Sequence, residues 1–131
     1  MKKAVVCVDG SEYSKYALEY VLDLLNKEKW ELIILHVIPT LEEFGIESVA
    51  PPSLVVELLN QLRENAKKIT EEAKSKAEQA GFKTEVIIKE GHVGKTIVRT
   101  AEEIDADLIA LGTRGLSGIK ALILGLSLIH I

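Results

Sequence analysis

Four short runs of apolar residues predict the strands of a sheet. Residues 4–8, 32–38 and 108–111 are almost continuously apolar, and turn residues or prolines bound them. Such runs are typical of strands that are buried on both faces of a parallel sheet. Residues 83–89 alternate only in part between polar and apolar positions, which indicates a strand at the sheet edge.

Between these runs, apolar residues recur every three or four positions, as in amphipathic helices. The first such stretch runs from Tyr16 to Leu25, and its helix is predicted to begin at Ser11 or Ser14. A long helix is predicted from Leu54 to a stop at Gly81, and a third helix lies around residues 97–104. Residues 40–53 show neither a helical nor a strand-like period of apolar residues, which predicts a loop. Alternating strands and helices indicate an α/β fold with a parallel sheet.

Length and composition indicate one globular domain. The chain has 131 residues, of which 47% are hydrophobic and 27% charged. A net charge of −4 disfavours a nucleic-acid partner. No apolar run reaches membrane-spanning length, and the apolar segment after Met1 is too short for a signal peptide. The single cysteine, Cys7, fits a reducing compartment, so we expect a cytoplasmic protein without a membrane partner.

Three glycines follow the last apolar run at a regular spacing. Residues 106–125 read ADLIALGTRGLSGIKALILG, which contains Gly112-x2-Gly115-x9-Gly125. A GxxG pair alone is more often an ordinary turn than a phosphate loop. Together with the opening VCVDGSEYS and the LHVIP segment, however, the spacing resembles the nucleotide-binding signature of the universal stress protein family, G-x2-G-x9-G followed by Ser or Thr. Leu126 departs from that signature.

The resemblance covers residues 3–125 and implies a Rossmann-like open parallel sheet with strand order 3-2-1-4-5. The family continues with a helix and a fifth strand, whereas only residues 126–131 follow Gly125 here. We therefore expect order 3-2-1-4, with the fifth strand missing and strand four at an open edge. The last six residues, LSLIHI, resemble a translated sequencing adaptor. On this interpretation, residues 1–125 form the domain and residues 126–131 are a non-native tail. The alternative is that residues 126–131 are a natural apolar C-terminus.

The resemblance also implies where adenosine would bind. In the implied order, strands one and four meet at the topological switch point, where open α/β sheets bind ligands. Asp9 would accept hydrogen bonds from ribose hydroxyls or the adenine amino group, although it could instead cap the first helix. The backbone of Val37 would pair with adenine while its side chain packs in the core, and Leu111 would form a wall of the base pocket.

The phosphate-binding residues follow from the same resemblance. Gly112, Gly115 and Gly125 would let the backbone approach the ribose and the phosphates closely, because they carry no Cβ. Arg114 would pair with a phosphate or else face water.

These residues imply an ATP-binding protein that acts in stress response or signalling through nucleotide-dependent conformation or partner binding. The full-length form is expected to be a homodimer. The preference between ATP and AMP, and a role for Mg²⁺, stay open. The alternative function is a nucleotide-free dimerising interaction module of the same fold. The sequence contains no recognisable set of catalytic residues, so we expect no enzymatic activity other than slow ATP hydrolysis. It also contains no His, Cys or carboxylate residues at metal-ligand spacing, so we expect no metal held by the protein's side chains.

A second glycine-rich stretch superficially resembles a P-loop. Residues 91–96 read GHVGKT, but the P-loop pattern GxxxxGK[ST] would need glycine where this chain has Lys89. The stretch also follows strand three, away from the predicted switch point. We therefore do not assign a phosphate site to it.

Overall fold

The computed structural model describes residues 1–42, 51–116 and 119–125. These ranges contain five strands and three helices. In chain order they are β1 (Lys2–Cys7), α1 (Glu12–Leu24), β2 (Trp30–Ile38), α2 (Pro52–Gln79), β3 (Thr84–Glu90), α3 (Val93–Glu103), β4 (Leu108–Leu116) and β5 (Ile119–Gly125). The predicted α/β fold is confirmed.

The first four strands form a parallel sheet in the order β3-β2-β1-β4. The predicted order 3-2-1-4 is therefore confirmed. At the carboxyl ends of the strands, Cys7 of β1 pairs with Leu35 of β2 on one side and with Leu111 of β4 on the other. The switch point thus lies between β1 and β4, at the edge where ligands bind in sheets of this kind.

Each face of the sheet has its own apolar core. On one face, α1 and α2 pack against Val6 of β1 and Ile34 of β2 through buried side chains such as Leu18 and Ala77. On the other face, Ala101 of α3 packs in a cluster with the buried strand residues Val5, Ile33, Leu35 and Ile109. Because both faces are covered, the central strands are apolar at nearly every position rather than at alternate ones.

The long helix α2 has all of its buried residues in its second half. Its 28 residues would span about 42 Å at 1.5 Å per residue, more than a strand of the sheet. The buried residues of α2 are Ala66, Thr70, Ala73 and Ala77. The part of α2 before Ala66 has no buried residue.

Residues 108–125 differ from the expectation in two ways. The fourth strand is predicted to end at Leu111, but β4 continues to Leu116. The edge of β4 is predicted to be open, but β5 pairs with it antiparallel, with Leu122 opposite Leu111. The prediction of an open edge at β4 is therefore wrong. The strand that covers this edge is antiparallel and ends at Gly125, so it is not the fifth strand that the resemblance implies, which would follow Gly125 after a helix. The apolar run at residues 121–124 suits a strand, and its pairing gives partners to backbone groups of β4 that would otherwise lack them.

Candidate functional site

A crevice opens at the carboxyl ends of β1, β2 and β4, at the switch point. Asp9, Val37, Leu111 and Gly112 all line it, so the structure brings together four of the residues proposed from the sequence. Its volume is about 140 Å³. Ligand pockets more typically measure roughly 300–1,000 Å³, so the crevice has room for a flat ring system rather than for a whole nucleotide.

The turn after β1 fixes the position of Asp9. The amide N–H of Ser11 donates to Oδ1 of Asp9 at 2.8 Å, and Gly10 adopts a left-handed conformation with φ of 83°. Ser11 then caps α1, because its hydroxyl oxygen accepts from the amide of Ser14 at 3.2 Å. Of the two predicted starts of the helix, Ser11 is confirmed.

Hydrogen bonds around the end of β1 also keep Asp9 charged. Burial of its carboxyl raises the pKa, but hydrogen bonds from Ser11 and Ser14 and the charge of His36 lower it by more, so that the pKa lies below its ordinary value. Nδ1 of His36 donates to the carbonyl oxygen of Val8 at 2.6 Å, which ties β2 to the end of β1. At neutral pH, Asp9 is therefore a carboxylate that can accept hydrogen bonds.

The walls of the crevice are apolar. Val37 is 8% exposed and packs in the core beneath α3, and Leu111 packs against the same core. Cys7 lies beside them. Burial and the negative charge of Asp9 raise the pKa of the Cys7 thiol to about 12, so this side chain is a neutral apolar wall rather than a nucleophile. Apolar walls with one carboxylate at the rim suit a ring system that carries hydrogen-bond donors.

Gly112 has a structural reason to be glycine. A Cβ at this position would overlap backbone atoms of Tyr13 and Ser14 in the first turn of α1. The helix can therefore pass directly over β4 only because residue 112 has no side chain. The resemblance assigns the close approach at Gly112 to a ligand, whereas in the structure the backbone of α1 occupies that space.

The other residues of the glycine signature lie elsewhere. Arg114 and Gly115 belong to the part of β4 that continues beyond its pairing with β1. Gly125 pairs with Leu108 at the start of β4, at the opposite end of the strand from the crevice. The structure therefore separates Gly125 from the other proposed residues, because residues 119–125 return antiparallel along β4.

Two residues of α3 line the crevice although the sequence analysis does not propose them. Val93 and Ile97, in the first two turns of the helix, lie in its wall. The expectation that the GHVGKT stretch lies away from the switch point overlooks the path of α3. This helix connects β3 to β4 and so begins at the ligand-binding edge of the sheet and crosses beneath β2 and β1. In a parallel sheet, every crossover helix begins near the carboxyl ends of the strands. This rule could have predicted that Val93 and Ile97 lie near the crevice.

In the ranges 1–42, 51–116 and 119–125, no helix is long and apolar enough to cross a membrane. The same ranges contain no group of three or more His, Cys, Asp or Glu side chains arranged to hold a metal ion.

A family model and individual relatives show that this chain is similar to universal stress proteins. The family model described as "Universal stress protein family" matches residues 1–128. Universal stress protein YxiE of Bacillus subtilis is 36% identical to this chain in an alignment of 128 residues that covers 94% of this chain and 86% of YxiE. Universal stress protein MJ0577 of Methanocaldococcus jannaschii is 33% identical over 138 residues, covering 95% of this chain and 83% of that protein.

Solved structures show the same similarity. The structure of MJ0577 superposes with a TM-score of 0.72 at 34% identity, covering 91% of this chain and 79% of that one. A universal stress protein crystallised in complex with cAMP superposes with a TM-score of 0.66 at 25% identity, covering 90% of this chain and 80% of the other.

Proposed function

This chain belongs to the universal stress protein family, and we propose that it binds an adenine nucleotide, with ATP as the physiological ligand, in the crevice at the ends of β1, β2 and β4. The observation that carries the proposal is the position of Asp9. A charged carboxylate, held by the turn after β1, lines the rim of an apolar crevice at the switch point. The solved relative in complex with cAMP supports an adenosine-containing ligand.

The crevice fits the adenosine part of such a ligand. A purine is a flat apolar ring with polar edges, which suits walls made of Val37, Leu111 and Ile97. The carboxylate of Asp9 would accept a hydrogen bond from a ribose hydroxyl. The backbone of Val37, at the end of β2, would pair with the edge of the base.

The phosphates would extend out of the crevice, since its volume of about 140 Å³ holds little more than the base. Arg114 and Gly115, on the part of β4 that continues beyond β1, are the residues proposed to meet them. Their assignment rests on the glycine signature, and Gly125 is left out of it because it lies at the opposite end of β4. We further propose that the nucleotide acts by changing conformation or partner affinity in a family-level stress role, and that ATP hydrolysis, if measured, is slow.

Calorimetric titration with adenosine, AMP and ATP tests the proposal. Asp9→Ala is expected to weaken all three ligands by a similar factor, because the contacts of Asp9 are to adenosine and not to phosphate. Loss of a hydrogen bond to a charged group costs about 1.5–3 kcal/mol, or roughly 10- to 150-fold in affinity. Asp23→Ala, an exposed aspartate near the other end of α1, is the matched control and should leave affinity unchanged.

Two results would contradict the proposal. If the wild-type protein binds none of the three ligands and releases no nucleotide on denaturation for mass spectrometry, the nucleotide-free interaction module becomes the better account. If Asp9→Ala weakens ATP but not adenosine, the nucleotide binds here with Asp9 in a different role.

A further inference from the structure

A second cavity lies on the opposite face of the sheet from the core that contains Val37 and Leu111. It is a groove between α1 and α2 with a volume of about 370 Å³, within the roughly 300–1,000 Å³ of ordinary ligand sites. The nucleotide proposal makes no use of it. The groove shares Val8, Asp9 and Ser14 with the crevice, so the end of β1 separates the two cavities.

The floor of the groove is apolar and already formed. Val8, Leu18 and Ala73 are at most 7% exposed and belong to the core beneath α1 and α2. Ile69 completes the floor and packs over the turn, so close that a Cβ on Gly10 would lie 3.1 Å from its Cδ1. These side chains are held by packing, which leaves a preformed apolar surface for the body of a ligand.

The rim carries lysines from both helices. Lys15 lies 4.0 Å from Glu12, and Lys76 is paired with Glu19 across the two helices at 2.9 Å. Lys68 forms no ion pair of 4.0 Å or less with any residue in the described ranges. The acidic groups of the groove are Glu72, which is exposed, and Asp9, whose Oδ1 already accepts from Ser11. The first turn of α1, whose amide groups form the positive end of the helix dipole, is beside Lys15.

We propose that this groove is a second binding site, for a small organic anion with an aromatic or aliphatic body. The body would lie on the floor formed by Leu18, Ile69 and Ala73. The anionic group would face Lys68 and Lys15 at the rim, where binding releases neither lysine from a short ion pair. The proposal does not depend on nucleotide binding, because the residues assigned to the anion and its body do not line the crevice.

The probe is 8-anilinonaphthalene-1-sulfonate, which joins two aromatic ring systems to a sulfonate and reports binding by fluorescence. Titration of the whole chain should saturate with one site. Lys68→Glu should weaken binding about five- to tenfold, and Lys68→Gln by less, as expected for one exposed charge. Lys67→Glu is the matched control, since Lys67 is equally exposed, lies next in the helix and also precedes a glutamate by four residues, but is not in the groove.

Amide chemical shifts recorded during the same titration locate the probe. The site is supported if the largest shifts fall on Ile69 and Ala73 and if Lys67→Glu binds like the wild type. It is overturned if the shifts fall on Val37 and Leu111 instead, because the probe then occupies the crevice. Equal weakening by the substitutions at residues 67 and 68, or the absence of saturable binding, would overturn it as well.

Discussion

Cys7 at the end of β1 and Leu111 of β4 lie side by side in the sheet, and a glycine follows each within three residues, yet the chain takes a different path after each. After β1, the chain turns at Gly10 with φ of 83° and enters α1. At Gly112 no turn occurs, and β4 continues to Leu116. The first glycine has the left-handed backbone that glycine favours, while the second accommodates the backbone of a neighbouring helix.

The difference shows that a glycine in the sequence can meet either of two needs, a left-handed backbone conformation or space for a neighbouring backbone. The sequence alone does not distinguish them. The turn after β1 is held by local hydrogen bonds among Asp9, Ser11 and Ser14. Near Gly112, the strand instead finds a partner, since Gly112 pairs with Ala121 of β5. The chain continues in the conformation that satisfies its backbone groups.

The strongest test of this comparison is Gly112→Ala. The added Cβ would overlap backbone atoms of Tyr13 and Ser14, which cannot move without shifting α1. We expect a loss of about 3 kcal/mol in the free energy of unfolding, the upper range for overpacking. Gly94→Ala in α3 is the control, because a Cβ there meets no atom within 4 Å. Urea denaturation measures both variants, and equal stability of the two would contradict the proposed contact.

A smaller effect is expected from Ser11→Ala at the end of β1. The hydroxyl oxygen of Ser11 caps α1 by accepting from the amide of Ser14, and losing such a cap costs about 1 kcal/mol. Ser53→Ala, an exposed serine at the start of α2, should change stability little, because Pro51 and not Ser53 occupies the cap position there. If thermal unfolding shows the two variants to be alike, the turn after β1 does not depend on its capping side chain.

The smallest expected effect is a dependence of stability on pH through Asp9. The pKa of Asp9 is lower in the folded protein than its ordinary value of 3.8. The contribution of the ionised carboxylate to the free energy of unfolding is therefore fully present above pH 3.8. As the pH falls through the folded pKa, the contribution is lost. Asp9→Asn should therefore have a flatter stability profile than the wild type below about pH 4, and the same profile shape above about pH 6. Urea midpoints across this range test it, and an unchanged slope in Asp9→Asn would contradict the hydrogen-bonded carboxylate.

Much of the fold follows from the sequence because the signals are local. The apolar runs at residues 4–8 and 32–38 locate β1 and β2, and the serines at residues 11 and 14 bracket the start of α1, which the structure places at Ser11. The strand order 3-2-1-4 comes from the family resemblance, which also places Asp9 and Val37 at the same edge of the sheet. These predictions depend on patterns a few residues long or on a match over nearly the whole chain.

Other features depend on contacts between distant residues and could not be predicted in this way. The apolar run at residues 121–124 is compatible with a helix or a strand, and only its pairing with β4 decides between them. The position of Gly125 beside Leu108 follows from that pairing. The demand for glycine at residue 112 arises from α1, about a hundred residues earlier in the chain. Val93 and Ile97 reach the crevice because α3 crosses beneath the sheet.

The most direct test of the central claim is to locate bound ATP by amide chemical shifts. Val37 and Leu111 line only the crevice, whereas Ile69 and Ala73 line only the groove between α1 and α2. Titration with ATP is predicted to shift the amides of Val37, Leu111 and Gly112 most, with saturation at one equivalent, and to leave those of Ile69 and Ala73 nearly unchanged. Saturable shifts centred on α2, or no saturable shifts at all, would contradict nucleotide binding in the crevice.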